Sequence, residues 1–83
     1  FGFEYMELTF LPGYERLSEP HEAGVVEYIT VMSGRMEIFT EDFWRPLKAG
    51  QSIRFCADRP HGYRNRSRVK AVTLSVIHYP RRA

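Results

Sequence analysis

The chain has 83 residues and a net charge of +2, with 12 lysines and arginines against 10 aspartates and glutamates. This is the length of one domain, and so small a positive excess gives no ground for nucleic-acid binding by the domain as a whole. No segment approaches the ~18 consecutive apolar residues of a membrane-spanning helix. Cys56 is the single cysteine, which excludes an intramolecular disulfide and a cysteine-based zinc cluster and fits a reducing cytoplasm.

Alternating apolar and polar residues predict a series of short β-strands. Valine, isoleucine, phenylalanine and tyrosine are frequent, and all four favour strands. Strands are predicted at Phe1–Phe10, Val25–Met32, Arg35–Thr40, Phe43–Leu47, the stretch around Ile53 and Phe55, and Val69–Tyr79. Turn-forming residues separate them, and residues 11–20 are interpreted as a polar connection. About six or seven short strands at regular spacing indicate a sandwich or small barrel.

The first predicted strand carries apolar residues on both faces. Met6 and Leu8 lie on one side, and Phe3 and Tyr5 lie on the other. A strand with two apolar faces often packs against another chain or domain, so Phe3 and Tyr5 are expected to lie in an interface. The chain begins directly in this strand, which favours a fragment of a longer protein.

The second predicted strand places Glu27 on the same side as Val25 and Ile29. A carboxylate buried among apolar side chains costs several kcal/mol unless it is paired, hydrogen-bonded or bound to a cation. Alternatively, Glu27 faces solvent and Tyr28 lies inside. The sequence leaves both orientations open.

Two features predict how the following strands pair. Ser33 and Gly34 are expected to form a hairpin turn into a strand that directs Met36 and Ile38 inward. Pro46 cannot donate a backbone hydrogen bond, so its strand is predicted to lie at a sheet edge.

Two histidines directly follow prolines, His21 after Pro20 and His61 after Pro60. Proline fixes its own backbone angle and restricts the residue before it, so each histidine leaves a rigid corner in a defined direction. Such placement suggests a binding site. The alternative is that His61 is a partly buried core residue hydrogen-bonded to the backbone.

Further side chains between the second corner and the last strand have two interpretations each. The cations at Arg64, Arg66, Arg68 and Lys70 recur at every second residue and form either a solvated face or a contact for an anionic ligand or neighbouring domain. Cys56 is either a redox-sensitive thiol or, in the favoured interpretation, a small buried core residue.

Several of these residues fall on the spacing of two motifs, G-x5-H-x-H-x3,4-E-x6-G and G-x5-P-x-G-x2-H-x3-N. The matching residues are His21, Glu27, Gly34, Gly50, His61 and Asn65. These motifs are typical of the cupin family, which the chain therefore resembles. The resemblance implies an all-β fold, a small jelly-roll barrel or double-stranded β-helix, with residues 1–83 as a single cupin domain.

The departures from the motifs bear on metal binding. Ala23 stands where the family has a second histidine, and Cys56 and Asp58 replace the proline and glycine of the second motif. A set of two histidines and one carboxylate remains, which suits a divalent transition metal such as Zn, Fe, Mn or Ni. The resemblance assigns this set to His21, Glu27 and His61. The alternative is a polar cluster that hydrogen-bonds internally and holds no metal.

A narrower resemblance covers His21–Glu27 and Phe55–Asn65. These segments are similar to the C-terminal cupin domain of Xre-type, phage-repressor-like helix-turn-helix transcriptional regulators of bacteria. This resemblance implies a homodimer, a DNA-binding domain outside this chain and a small-molecule effector that enters the barrel mouth. The side chains expected to contact the effector are His21, Glu27, Arg54, His61 and Tyr63.

Three functions are compatible with these patterns. The first is a non-enzymatic sensor that responds to a small molecule. The second is a metal-dependent cupin enzyme of dioxygenase or isomerase type, in which the metal acts as a Lewis acid. The third is a dimerisation module without a ligand. The missing histidine and the lack of a clearly placed acid or base favour the sensor.

Overall fold

The computed structural model describes residues 2–80, which form eight strands joined by turns. The strands are β1 (Phe3–Phe10), β2 (Glu15–Ser18), β3 (Val26–Ser33), β4 (Arg35–Thr40), β5 (Phe43–Lys48), β6 (Ser52–Cys56), β7 (His61–Arg64) and β8 (Ala71–His78). They form two four-stranded antiparallel sheets, a first sheet in the order β1-β8-β3-β6 and a second in the order β2-β7-β4-β5. The expected all-β jelly roll is confirmed. No helix in this range is long and apolar enough to cross a membrane.

The core lies between the two sheets, and period-two alternation decides which side chains enter it. In β3, Ile29 and Val31 are buried and Tyr28 is exposed, so Glu27 faces inward with the former pair. In β4, Met36 and Ile38 are buried, as their alternation predicts. The question left open for Glu27 is therefore settled in favour of the core.

The predicted hairpin at Ser33 and Gly34 is wrong. β3 pairs with β6 and β8, whereas β4 pairs with β5 and β7, so the two strands belong to different sheets. Gly34 carries the chain between the sheets with a φ of +78°, and a Cβ there would lie 2.5 Å from the carbonyl oxygen of Lys70. Glycine is therefore required both by the backbone angle and by the close approach of the other segment.

Other strand predictions need smaller changes. Residues 11–20 contain a strand, β2, which pairs with β7. The last strand begins at Ala71, and the strand containing Pro46 lies at the edge of the second sheet, as predicted. The prediction that the first strand begins at Phe1 falls outside the described residues.

Two side-chain interpretations are corrected by the structure. Cys56 is exposed rather than buried, because it alternates with the inward-facing Phe55. The alternating cations do not share one extended face, because β7 ends at Arg64 and residues 65–70 form a loop. Arg64 and Arg66 instead both pair with the carboxylate of Glu37.

Candidate metal and effector site

The loop before β3 is fastened to the turn after β6. The backbone amide of His21 donates to the carbonyl of Ala57 at 2.9 Å, and the amide of Gly24 donates to the carboxylate of Asp58 at 2.9 Å. Asp58 occupies the glycine position of the second motif, and here its carboxylate holds the neighbouring loop. These contacts place His21 beside the corner that presents His61.

The structure brings His21, Glu27 and His61 together. One potential ligand atom from each lies within 4.8 Å of the others. The imidazole rings of His21 and His61 are stacked, with centroids 5.7 Å apart. Glu27 and His61 are 2% and 1% exposed, whereas His21 is exposed at the rim. The cluster is therefore a buried pair that a third residue covers from the solvent side.

The orientation of His61 is fixed by its backbone. Its Nδ1 lies 2.8 Å from the carbonyl oxygen of Arg59, which can only accept a hydrogen bond. Nδ1 therefore carries the proton, and the lone pair lies on Nε2. This Nε2 is buried and has no hydrogen-bond partner among residues 2–80.

Glu27 is held by a single hydrogen bond. The hydroxyl of Tyr63 donates to Oε1 at 2.6 Å, whereas Oε2 is buried without a partner in the described part of the chain. Burial raises the pKa of Glu27, and the Tyr63 hydrogen bond and the two nearby histidines oppose that rise. Burial and the adjacent carboxylate also raise the pKa of Tyr63, so its hydroxyl remains a donor at every physiological pH.

These donors fit a divalent transition metal. His61 Nε2 and Glu27 Oε2 are the kind of buried, unpartnered atoms that a bound cation would satisfy. Two atoms that bind one metal through bonds of about 2.1 Å lie at most about 4.2 Å apart. The potential ligand atoms here lie within 4.8 Å of one another, so a small movement of the exposed His21 would allow all three to bind the same ion. The Arg59 carbonyl and the Tyr63 hydroxyl would then orient the two buried ligands from the outer shell.

A cavity of about 340 Å³ opens beside the cluster. Glu27 and Tyr63 form part of its wall, together with Arg16 and Ser18 of β2. In the β2–β7 pairing Arg16 lies opposite Tyr63 and Ser18 lies opposite His61, so all four side chains share the inner face. Neither β2 residue was predicted to line a site, because a strand of four residues gives too few alternations to show an inner face.

Arg54 is not brought to this site. It is exposed and pairs with Tyr28 across the β3–β6 ladder, on the outer face of the first sheet. There it lines a separate cavity of about 350 Å³ together with Cys56 and Arg59. The structure therefore unites four of the five predicted effector contacts, namely His21, Glu27, His61 and Tyr63.

The other motif residues shape the backbone. Gly50 has a φ of +89° with open space around its Cβ position, so its turn demands glycine for conformation alone. The buried amide of Asn65 donates to the carbonyls of Phe10 and Val69, and its oxygen accepts from the amide and hydroxyl of Ser67. Asn65 thus ties the loop after β7 to the end of β1.

Two features define the class of this protein. They are the eight-stranded jelly roll and the cluster of two histidines and one glutamate within it. The family model described as the cupin domain, Cupin_2, matches residues 6–77, and the chain belongs to the cupin family. The expected family is thereby confirmed.

Similar proteins narrow the class further. The chain is 37% identical over 79 residues to the HTH-type transcriptional regulator SutR of Escherichia coli strain K12, covering 95% of this chain and 44% of SutR. It is 42% identical to the crystallised Cupin_2 domain of an XRE family transcriptional regulator from Enterobacter cloacae, with a TM-score of 0.93 and coverage of 96% and 84%. An HTH_3 family transcriptional regulator from Vibrio cholerae is also 42% identical, with a TM-score of 0.92 and coverage of 96% and 44%.

These relatives agree with the narrower resemblance to Xre-type regulators. The chain spans less than half the length of SutR and of the Vibrio cholerae protein. The matched region is therefore the cupin part of proteins named as transcriptional regulators.

Proposed function

We propose that this chain is the small-molecule-sensing, dimerising domain of a bacterial helix-turn-helix transcriptional regulator and that it acts in the cytoplasm without catalysing a reaction. The observation that carries the proposal is the buried pair Glu27 and His61, each of which has an unpartnered side-chain atom, and Glu27 also lines an open cavity. The naming of relatives as regulators at 37–42% identity supports the same conclusion. DNA would be bound by a separate domain.

The effector would occupy the cavity and contact His21, Glu27, His61 and Tyr63. A metal held by His21, Glu27 and His61 would offer open positions to a donor atom of the effector. Among the described residues that line the cavity, Glu27 is the one carboxylate. If Glu27 binds the metal, no other acid of this lining remains for proton transfer, which supports binding over catalysis.

The cavity is placed where a ligand can affect both sheets. Its walls come from β1, β3 and β8 of the first sheet and from β2 and β7 of the second. A ligand shifts an equilibrium only by its different affinities for the two states. A ligand that contacts both walls would favour the arrangement in which the sheets are closer together.

The outer face of the first sheet would pair with a second copy of the chain. Phe3 and Tyr5 are 55% and 66% exposed. On the same face, Val76 of β8 lies opposite Tyr5, and Tyr28 of β3 lies opposite Val76. Exposed apolar patches of this kind mark interfaces. These residues also include the Phe3 and Tyr5 interface expected from the sequence.

The charges at the edges of this face suit a two-fold dimer. Glu7 of β1 lies at one edge and Arg54 of β6 lies at the other, both on the outer side. A two-fold axis parallel to the strands would lay the acidic edge of one copy over the basic edge of the other. Because β1 and β8 contribute both to this face and to the cavity, the effector could alter the dimer.

The metal part of the proposal is tested by elemental analysis of untagged protein purified without chelator. His21→Ala and His61→Ala should each lose the metal, and His78→Ala is the matched control because His78 is exposed at the end of β8. Equal metal content in all three variants would contradict the assigned ligand set.

The sensing part is tested with the full-length regulator that carries this domain. A metabolite that raises the melting temperature of the domain should change operator affinity and be recovered chemically unchanged. Conversion of the metabolite by the metal-loaded protein would instead establish the cupin enzyme. Absence of any stabilising metabolite, together with an intact dimer, would leave the dimerisation module.

A further inference from the structure

The cavity beside the cluster contains a cation that the proposed site does not use. Arg16 lines the wall next to Tyr63, and no ion pair is formed by Arg16 within residues 2–80. An arginine that faces a cavity without a carboxylate partner is a ready donor for a planar anion, because its guanidinium can make two parallel hydrogen bonds. Arg16 is also exposed, so it retains the freedom to meet a ligand at the mouth.

The rest of the wall determines the body of the ligand. The apolar lining comes from Met6, Leu8, Phe10 and Ile77. The ring of Phe10 packs against Tyr63 and, edge to face, against Tyr14 at the mouth. This wall suits an apolar or aromatic group, and its volume of about 340 Å³ limits the ligand to a small molecule.

The sign of the charge in the cavity also follows from the residues. Glu27 is the acidic lining residue in the described range, and its carboxylate accepts a hydrogen bond from Tyr63 and lies close to His21 and His61. The two positive charges of a divalent metal bound to this cluster would exceed the single negative charge of Glu27. The loaded cavity would then hold two positive centres, the cluster and Arg16, and no free negative one.

We propose that the effector of this cavity is a small organic acid with an apolar body, and that Arg16 is the residue that selects its carboxylate. This inference rests on the proposed function, since it assigns the chemical class of the molecule sensed. The apolar body of the ligand would lie against β1 and β8, and its carboxylate would lie next to Arg16 of β2. Metal loading should strengthen its binding.

Three probes that share a phenyl body separate the contributions of charge and shape. They are phenylacetate, phenylacetamide and phenethylamine, with anionic, neutral and cationic heads. Dissociation constants are measured at fixed ionic strength by isotope-edited NMR titration of this chain, both metal-free and Zn²⁺-loaded. A crystallised Enterobacter cloacae cupin domain, of which this chain covers 84%, supports the use of the isolated domain.

We expect the metal-free chain, in which Arg16 is the one lysine or arginine among the described residues of the cavity wall, to bind phenylacetate about tenfold more tightly than phenylacetamide, as a charged hydrogen-bonded pair allows. Arg16→Gln should remove this preference while leaving the melting temperature unchanged. Arg35→Gln is the matched control, because Arg35 is also an exposed strand arginine of the second sheet but points away from the core beside the buried Met36. The control should keep the tenfold preference.

Several results would overturn the inference. These are equal binding of acid and amide, tighter binding of the amine, or a preference that survives Arg16→Gln. If the amide or amine binds in the cavity without any advantage for the acid, the effector class is wrong and the sensing function stands. If the chain binds Zn²⁺ but none of the three probes, the inference fails. If a screen of a wider range of metabolites also finds no ligand, the proposed sensing function fails as well.

Discussion

The hydroxyl of Tyr63 gives the most direct access to the energetics of the buried cluster. In Tyr63→Phe the ring remains against Phe10, but Glu27 loses its hydrogen bond and keeps both oxygens buried. A hydrogen bond to a charged group contributes about 1.5–3 kcal/mol, and a buried carboxylate left without one is destabilised by a similar amount. We therefore expect the unfolding free energy of the metal-free chain to fall by about 1.5–3 kcal/mol.

The chain contains a control with the same chemistry at the surface. Tyr79 also donates to a carboxylate, that of Glu4, but this pair is exposed. Water replaces the lost bond there, so Tyr79→Phe should cost at most about 0.5 kcal/mol. For a domain of this size a loss of 1 kcal/mol lowers the melting temperature by about 4–8 °C, so the two variants should differ by roughly 4 °C or more.

Metal affinity supplies an independent measurement on the same variants. Removing a hydrogen bond that orients a metal ligand commonly weakens binding by about 10–100-fold. Zn²⁺ competition against a chromophoric chelator should therefore show that loss for Tyr63→Phe and none for Tyr79→Phe. Unchanged Zn²⁺ affinity in Tyr63→Phe would refute the assignment of Glu27 as a ligand, and equal stability of the two variants would refute the argument from burial.

Three further predictions concern the loop, the dimer and acid stability. Asn65→Ala should lower the unfolding free energy by about 2–4 kcal/mol in chemical denaturation, and Asn65→Asp should not rescue it, because a carboxylate would face two carbonyls. Tyr5→Glu should give a monomer in light scattering, whereas Phe43→Glu, at an equally exposed aromatic of β5, should stay dimeric; two dimers would contradict the assigned face. Burial works to raise the pKa of Glu37, but hydrogen bonds from Arg64 and Arg66 outweigh this effect and hold the pKa below the ordinary value. The unfolding free energy of wild type should therefore exceed that of Glu37→Gln by about 1 kcal/mol at neutral pH, and this difference should disappear below about pH 4. A difference that does not depend on pH would exclude the ion pair.

The fold could be predicted wherever the residue pattern itself fixes orientation. Alternation placed Met36 and Ile38 inside, and Pro46 indicated an edge strand. The turn at Gly34 was misjudged because a glycine with positive φ serves both a hairpin and a crossing between sheets. The distinguishing fact is the carbonyl of Lys70 near Gly34, which no local pattern contains.

The same limit applies to the site. The prolines at 20 and 60 predicted that each following histidine has a fixed direction. That the two histidines meet depends on the hydrogen bonds that hold the loop before β3 against the turn after β6. Arg54 was expected among the effector contacts, but the position of its side chain depends on the strand that carries it. Its neighbour Phe55 is 5% exposed, so alternation within β6 turns Arg54 to the outer face.

Arg16 shows why a short strand hides functional residues. Four residues at the edge of a sheet give too few alternations to reveal an inner face, so β2 resembles a polar connection. Its inner face is defined only by pairing with β7, where Tyr63 and His61 lie opposite Arg16 and Ser18. An edge strand is also free to vary without disturbing the core. Related domains could therefore keep the buried cluster while changing the β2 side chains, and the ligand class would then be set by β2 rather than by the motif residues.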